Sequence, residues 1–242
     1  MMIIRNLTKS IDSQLILNRI SMEINEGELV AVLGASGSGK TTFLKCLALR
    51  ERWDDGQYIY EGNDITNSSW LERLKLSKHW AYLEEKADIQ PRKSALKNVL
   101  RGRLFYTPFW RLITGRVSTE EYANAMDYLE NVGLLDKAAS PAEKLSGGER
   151  QRIALARGFV QRAKVIYADE PISGIDPSGA ERVMQDFRYV CKRDKATVIC
   201  TMHNAEVAQR YATRILGLAG GKIVVDVTGR PLTQRERSLI FG

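Results

Sequence analysis

Three cysteines are too few and too scattered to staple this 242-residue chain, since Cys46, Cys191 and Cys200 are odd in number, widely spaced and form no CxxC pair. That argues against a disulfide scaffold and against a zinc knuckle, and the three read as reduced, mostly buried thiols. Long apolar runs are missing too. The longest, such as Leu29 to Leu33 and Val165 to Ala168, fall far short of the roughly 20 residues a bilayer span needs, so the chain is not expected to cross a membrane alone. The start, Met-Met-Ile-Ile-Arg-Asn-Leu-Thr, lacks the basic segment, apolar stretch and small-residue cleavage site of a secretory signal, which predicts a cytoplasmic location. No internal repeat or low-complexity tract stands out. Charge of one sign does not cluster either: the formal net charge is +7, but Arg50, Arg52, Arg73, Lys75 and Lys78 sit among acids. This is the pattern of a solvated face, and placement beside anionic lipid headgroups also fits it.

What is present is 44% apolar residues, enough for one sizeable core or for a core with a smaller lobe attached. Short β-like runs occur at Met2 to Leu7, Ile20 to Ile24 and Leu29 to Leu33, the last directly before a glycine-rich turn, and 41–50 reads as a helix. Further strand signals lie at 164–168, 197–201, 214–218 and 222–227, bounded by Gly, Asp or charged residues. Strands alternating with helices indicate a mostly parallel sheet covered by helices. From about Ser94 to Arg157 the pattern is helical, with 120–132 amphipathic, which predicts a helical lobe inserted into the sheet domain. The tail from Pro231 to Gly242 is read as a short charged helix.

Gly34-Ala35-Ser36-Gly37-Ser38-Gly39-Lys40-Thr41 fits G-x-x-x-x-G-K-[ST], follows a hydrophobic strand and opens a helix. Glycines let backbone N–H groups turn inward around phosphate oxygens, and the helix N-terminus adds its dipole. Lys40 would neutralise the β and γ phosphates, Thr41 would offer its hydroxyl to Mg2+, and Thr42 lies in the same first turn. Val165 to Ala168 is a buried-strand pattern ending in Asp169-Glu170, so two carboxylates emerge at the C-terminal edge where open α/β sheets bind ligands. Asp169 would hold Mg2+. Glu170 would polarise the attacking water as a general base. Read alone, Asp-Glu-Pro would be only a helix start.

Leu145-Ser146-Gly147-Gly148-Glu149-Arg150-Gln151-Arg152 precedes a helical run, and its hydroxyl and free backbone N–H groups make a second anion site. With this segment added to the phosphate loop, the chain resembles the ABC ATPase family, whose hallmark is LSGG, and the resemblance covers nearly the whole length. It implies a P-loop NTPase core, a RecA-like mostly parallel sheet with an antiparallel β portion, carrying an inserted helical subdomain. Residues 1–93 and 158–242 would form the nucleotide-binding core of a single domain and 94–157 the signature-bearing lobe. The resemblance also implies ATP and Mg2+ as ligands and a head-to-tail dimer in which Ser146, Gly147, Gly148 and Glu149 close over ATP held by a second copy. Transmembrane permease subunits would be partners and a substrate-binding protein an indirect one, with no nucleic acid expected and a peripheral place on the cytoplasmic face of the cell membrane. Ser173-Gly174-Ile175-Asp176 looks like the family's dimer-contacting loop, and His203 like its switch histidine at the γ-phosphate.

Two positions depart from the family pattern. Ile11 stands where an aromatic usually stacks on adenine, and Glu85, in Tyr82-Leu83-Glu84-Glu85-Lys86-Ala87, stands where a Gln usually links Mg2+ to the transmembrane partner. A carboxylate still serves Mg2+ but, when ionised, donates no hydrogen bond. Asn98 to Leu104 with Tyr106 to Arg111, and Ala163 to Ile172, resemble phosphonate importer ATPases more than other ABC families. Tyr106, Phe109 and Trp110 either offer a surface to a helix of a membrane subunit or pack the lobe's own core. The resulting expectation is an importer ATPase for phosphonate, phosphite or a related oxyanion. An exporter ATPase, an accessory protein of phosphonate breakdown, a poorly hydrolysing regulatory subunit and a nucleic-acid-linked ABC protein are the competing readings.

Overall fold

The computed structural model describes residues 1–105 and 117–242, so the aromatic cluster Tyr106, Phe109 and Trp110 lies outside the described residues. Strands β1 (Met2–Ile11), β2 (Gln14–Ile24), β4 (Asp55–Tyr60) and β5 (Asn63–Asp64) form an antiparallel sheet in the order β2-β1-β4-β5. A second sheet runs β10-β9-β3-β8-β7-β6, from β3 (Leu29–Leu33), β6 (Trp80–Leu83), β7 (Val165–Ala168), β8 (Thr197–Met202), β9 (Arg214–Ala219) and β10 (Lys222–Thr228). It is parallel from β9 to β6, and β10 alone runs antiparallel. β3 explains why its sequence is apolar without interruption. Leu29, Ala31 and Leu33 face one apolar cluster and Val30 and Val32 the other, so both faces of the strand are covered.

The first two strands run longer than their sequence signals, Met2 to Leu7 and Ile20 to Ile24. Register shifts interrupt the β1–β2 ladder around Leu7 and Lys9, and Asn6 and Arg19 have positive φ of 52° and 49°. Such bulges displace residues from the inside–outside alternation on which a sequence reading depends. The helix after the glycine-rich turn, α1 (Lys40–Leu47), stops short of Arg50 because the chain turns left-handed at Leu49, with φ 57°. α1 carries Phe43, Leu44, Cys46 and Leu47 into the cluster between the two sheets.

α2 (Trp70–Ser77) starts on a Ser69–Glu72 capping box, and α3 (Ala95–Leu100) and α4 (Thr119–Asn131) belong to the helical segment. Ala125 and Leu129 of α4 meet Ala95 and Val99 of α3 and Ile153 and Ala156 of α5 (Gly147–Val160) in a third apolar cluster. α5 has a second face. Its Leu155 and Phe159 join Val183, Met184 and Phe187 of α6 (Pro177–Asp194) under the parallel sheet, so one helix shares both cores. α7 (Ala205–Tyr211) and α8 (Gln234–Phe241) complete the layer, and Ile240 seats α8 where a Cβ on Gly217 would stand 2.4 Å from its Cγ1. The three cysteines are free and buried, and burial pushes each thiol up to about 12. No helix among the described residues is long and apolar enough to cross a membrane.

Candidate functional site

Because β3, β7 and β8 are parallel neighbours, their C-terminal ends open onto one edge, and the chemically distinctive residues follow directly from those ends. The loop 34–39 leaves β3 and enters α1. Gly34 has no room for a side chain, since a Cβ would sit 2.4 Å from Ser38 Oγ and 2.5 Å from Leu218 O. Gly39, at φ 99°, needs the left-handed region that glycine alone adopts freely. Ala35, Ser36 and Gly37 form the exposed rim, whereas Ser38 Oγ is buried without a hydrogen-bond partner. An orphaned hydroxyl under an open rim of backbone suits a polar ligand.

Lys40 is 6% exposed and bends back so that Nζ donates to Gly34 O and Ala35 O, each at 3.0 Å. Burial lowers its pKa, and the charges of Glu170 and Asp169 oppose that shift. Thr41 Oγ1 donates to Asp169 Oδ1 at 3.1 Å, and the fully buried Thr201 Oγ1 donates to the same oxygen at 2.7 Å. Glu170 has a positive φ of 46°; its N–H donates to Thr201 Oγ1 at 2.9 Å, and its carbonyl accepts from Ser173 N–H. Glu170 Oε1 and His203 Nε2 are 2.6 Å apart and face a cleft of about 340 Å³. The structure thus brings Lys40, Thr41, Asp169, Glu170 and His203 to one edge, with a base, a cation and a hydroxyl–carboxylate pair in reach of one ligand.

The Ser146 segment stands apart from that cluster. Ser146 Oγ accepts from Glu149 N–H at 3.2 Å while Glu149 Oε2 accepts from Ser146 N–H at 2.8 Å, a closed capping box. The bond to Lys137, and then the Ser146 N–H, hold the Glu149 carboxyl below its usual range. Ser146 and Gly147 are exposed, and a Cβ on Gly147 would meet nothing within 4 Å. Gly148 lies against Ile175 and Gly174 of the loop that ends at Asp176, the N-cap of α6.

The glycine-rich loop after β3, the acid pair after β7 and the glycine-rich helix start at Ser146 all lie in the stretch, residues 17–173, that matches the sequence profile described as ABC transporter. The chain belongs to the ABC transporter family. It is 36% identical over 226 residues to a phosphonates import ATP-binding protein of Trichodesmium erythraeum, covering 93% of this chain and 88% of the relative. Against the corresponding protein of Staphylococcus aureus strain RF122 the identity is 34% with the same coverage. The fold matches a dimeric post-hydrolysis ATP-binding cassette bound to ADP and Pi, with TM-score 0.83, 27% identity and coverage of 96% of this chain and 100% of that one. This ABC chain is an ATPase cassette of mixed α/β architecture.

In the cassette, Glu85 lies exposed in the loop after β6. Its neighbour Glu84 pairs with Arg50 at 2.6 Å, and Gln151 of α5 donates to the Glu84 carbonyl at 3.2 Å. Ile11 is 42% exposed where β1 turns into β2, beside the left-handed pair Asp12 and Ser13. Two other aliphatic side chains border the glycine-rich loop: buried Leu17 Cδ2 and partly buried Ile16 Cγ2 would stand 3.1 Å and 3.4 Å from a Cβ on Gly39. The sequence reading places Thr201 only at the end of the strand signal 197–201 and gives it no role. The available signal was a hydroxyl two residues before His203 on a strand destined to lie beside Asp169.

Proposed function

We propose that this cassette powers an ABC importer for a phosphonate, phosphite or related oxyanion. The observation that carries the cargo reading is the 36% and 34% identity, over 93% of the chain, to two proteins named for phosphonate import. ATP is the fuel. The loop from Gly34 to Gly39 and the first turn through Thr42 cradle its phosphates with backbone N–H groups, and Lys40 leaves its two carbonyl partners to meet their charge. Thr41 and Asp169 present hard oxygen donors 3.1 Å apart, which fit Mg2+, and Glu85 lies on the loop that follows β6 as a further donor. Mg2+ bound there supplies charge neutralisation on the phosphates. Glu170 accepts the proton of the attacking water, and His203, within hydrogen-bond reach, orients its carboxylate.

Ser146, Gly147, Gly148 and Glu149 contact the nucleotide held by a second, head-to-tail copy. Ile11 covers one face of the adenine. A groove of about 790 Å³ lined by Arg50, Trp70, Leu74, Tyr82, Leu104 and Arg157 receives a permease subunit at the cytoplasmic face of the membrane. A substrate-binding protein delivers the cargo, which this chain does not touch. The test is to reconstitute the cassette with its co-purifying membrane and binding proteins and to follow ATP turnover as different solutes are added. Stimulation by a phosphonate or phosphite is expected. Stimulation by an unrelated solute alone refutes the cargo reading, and ATP-driven efflux from vesicles refutes import.

A further inference from the structure

The Thr201 hydroxyl touches both carboxylate residues of the site. It donates to Asp169 Oδ1 at 2.7 Å and accepts from Glu170 N–H at 2.9 Å, and the residue is fully buried at the end of β8. A hydroxyl has one proton to give and lone pairs to receive, so both bonds form at once and fix the direction of each. The bond from Thr41 also falls on Oδ1, at 3.1 Å, so two hydroxyls converge on one oxygen of the Asp169 carboxylate.

The second bond matters because of the backbone it restrains. Glu170 is held at φ 46°, a conformation that a non-glycine residue keeps only where its surroundings impose it. The restraints are the Thr201 hydroxyl on its N–H and Ser173 N–H on its carbonyl. We infer that Thr201 is a positioning residue for ATP hydrolysis, setting the Asp169 carboxylate toward Mg2+ and the Glu170 carboxylate toward water with a single hydroxyl. The Mg2+ half of this inference rests on the placement of that ion at Thr41 and Asp169 proposed above.

The experiment compares T201V, T201S and D169N. T201V keeps the shape and removes the hydroxyl, and loss of an outer partner of a metal ligand typically lowers metal affinity or activity about 10–100-fold. We expect T201V to lower kcat by about tenfold or more, with little change in the KM for ATP, and to raise the Mg2+ concentration that half-saturates nucleotide binding by about tenfold. Binding of a fluorescent ATP analogue without Mg2+ stays as in the wild type, and T201S restores both kcat and the Mg2+ dependence. Unchanged Mg2+ dependence and kcat in folded T201V overturn the inference, and so does a loss that T201S does not recover. If T201V does not fold, T201A against T201S carries the same comparison. Should D169N leave the Mg2+ dependence untouched, the ion placement itself falls; should D169N shift it while T201V does not, only the role of Thr201 falls.

Discussion

The edge formed by the loop 34–41 and the Ser146 helix start are both proposed anion sites, but they are built in opposite ways. At the first, the functional groups satisfy one another: Lys40 lies on its own loop carbonyls, Thr41 and Thr201 on Asp169, His203 on Glu170. At the second, the Ser146 and Glu149 side chains are consumed by a local capping box, and Ser146 and Gly147 stand exposed. A ligand at the first site must break and replace internal bonds. One at the second adds to a finished helix end. Under the proposed reading the first site is therefore a switch that nucleotide throws, and the second a preformed surface for a ligand carried by the second copy.

The comparison breaks first at Lys40. Lys40 is the cation that lies on the loop carbonyls, so Lys40→Ala should abolish nucleotide binding or lower turnover by at least about a hundredfold, the scale seen when one preorganised charge-stabilising donor is removed. Steady-state ATPase assays with a nucleotide titration read this. Normal turnover would remove the phosphate loop from the mechanism. Next comes Glu170→Gln, which keeps size but not basicity. Hydrolysis should drop about 10²–10⁴-fold while ATP binding persists. Under the proposed reading ATP then holds the two copies together, visible as a shift to dimer on size-exclusion chromatography. Hydrolysis at the normal rate would mean that water is activated elsewhere.

How much of this was readable in the sequence depends on how local the signal is. The loop 34–41 and the Asp169-Glu170 pair announce themselves because a backbone shape or a strand end fixes their residue types within a few positions. The alternating faces of β3 and the capping box at Ser146 are equally local. By contrast, β4, β5 and the bulged parts of β1 and β2 escape a periodicity reading, since bulges and left-handed residues at Asn6 and Arg19 break the alternation. Thr201 escapes because its role exists only across strands. Parallel pairing of Ala168 with Cys200 brings the next residue of β8 beside the first residue after β7, and nothing in the local sequence fixes that pairing. The double allegiance of α5 was hidden for the same reason, as Ile153 and Leu155 look alike in sequence but pack in different clusters.

Ser146→Ala separates the two functions compressed into the second site. Loss of the cap alone should destabilise the fold by about 1 kcal/mol, which lowers Tm by about 2–4 °C in a chain of this size. A hydrogen bond to a charged group is worth about 1.5–3 kcal/mol, so if Ser146 also contacts phosphate across a dimer, turnover should fall about tenfold or more while ATP binding to the separate chain stays unchanged. Differential scanning fluorimetry beside an ATPase assay distinguishes them. A lowered Tm with full turnover would make Ser146 a helix cap and nothing more.

The smallest expected effect is at Ile11, 42% exposed at the turn between β1 and β2, which the proposed reading sets over the adenine. An aliphatic side chain covers a base but lacks the flat π-face that stacking uses. Ile11→Tyr should therefore tighten ATP binding, by about fivefold if stacking returns the lower end of its roughly 1–3 kcal/mol range. Stability should hardly change, because exposed substitutions away from special backbone positions usually fall within about 0.5 kcal/mol. Discrimination between ATP and GTP should change little, since stacking tolerates base identity. Titration of both nucleotides into wild type and variant at fixed Mg2+ measures this. Unchanged affinity would withdraw Ile11 from the adenine site and turn attention to Ile16, whose side chain borders Gly39 of the phosphate loop. Ile16→Ala weakening ATP binding, with Ile11→Tyr silent, would then place the base further along β2, nearer the phosphates than the family resemblance implies.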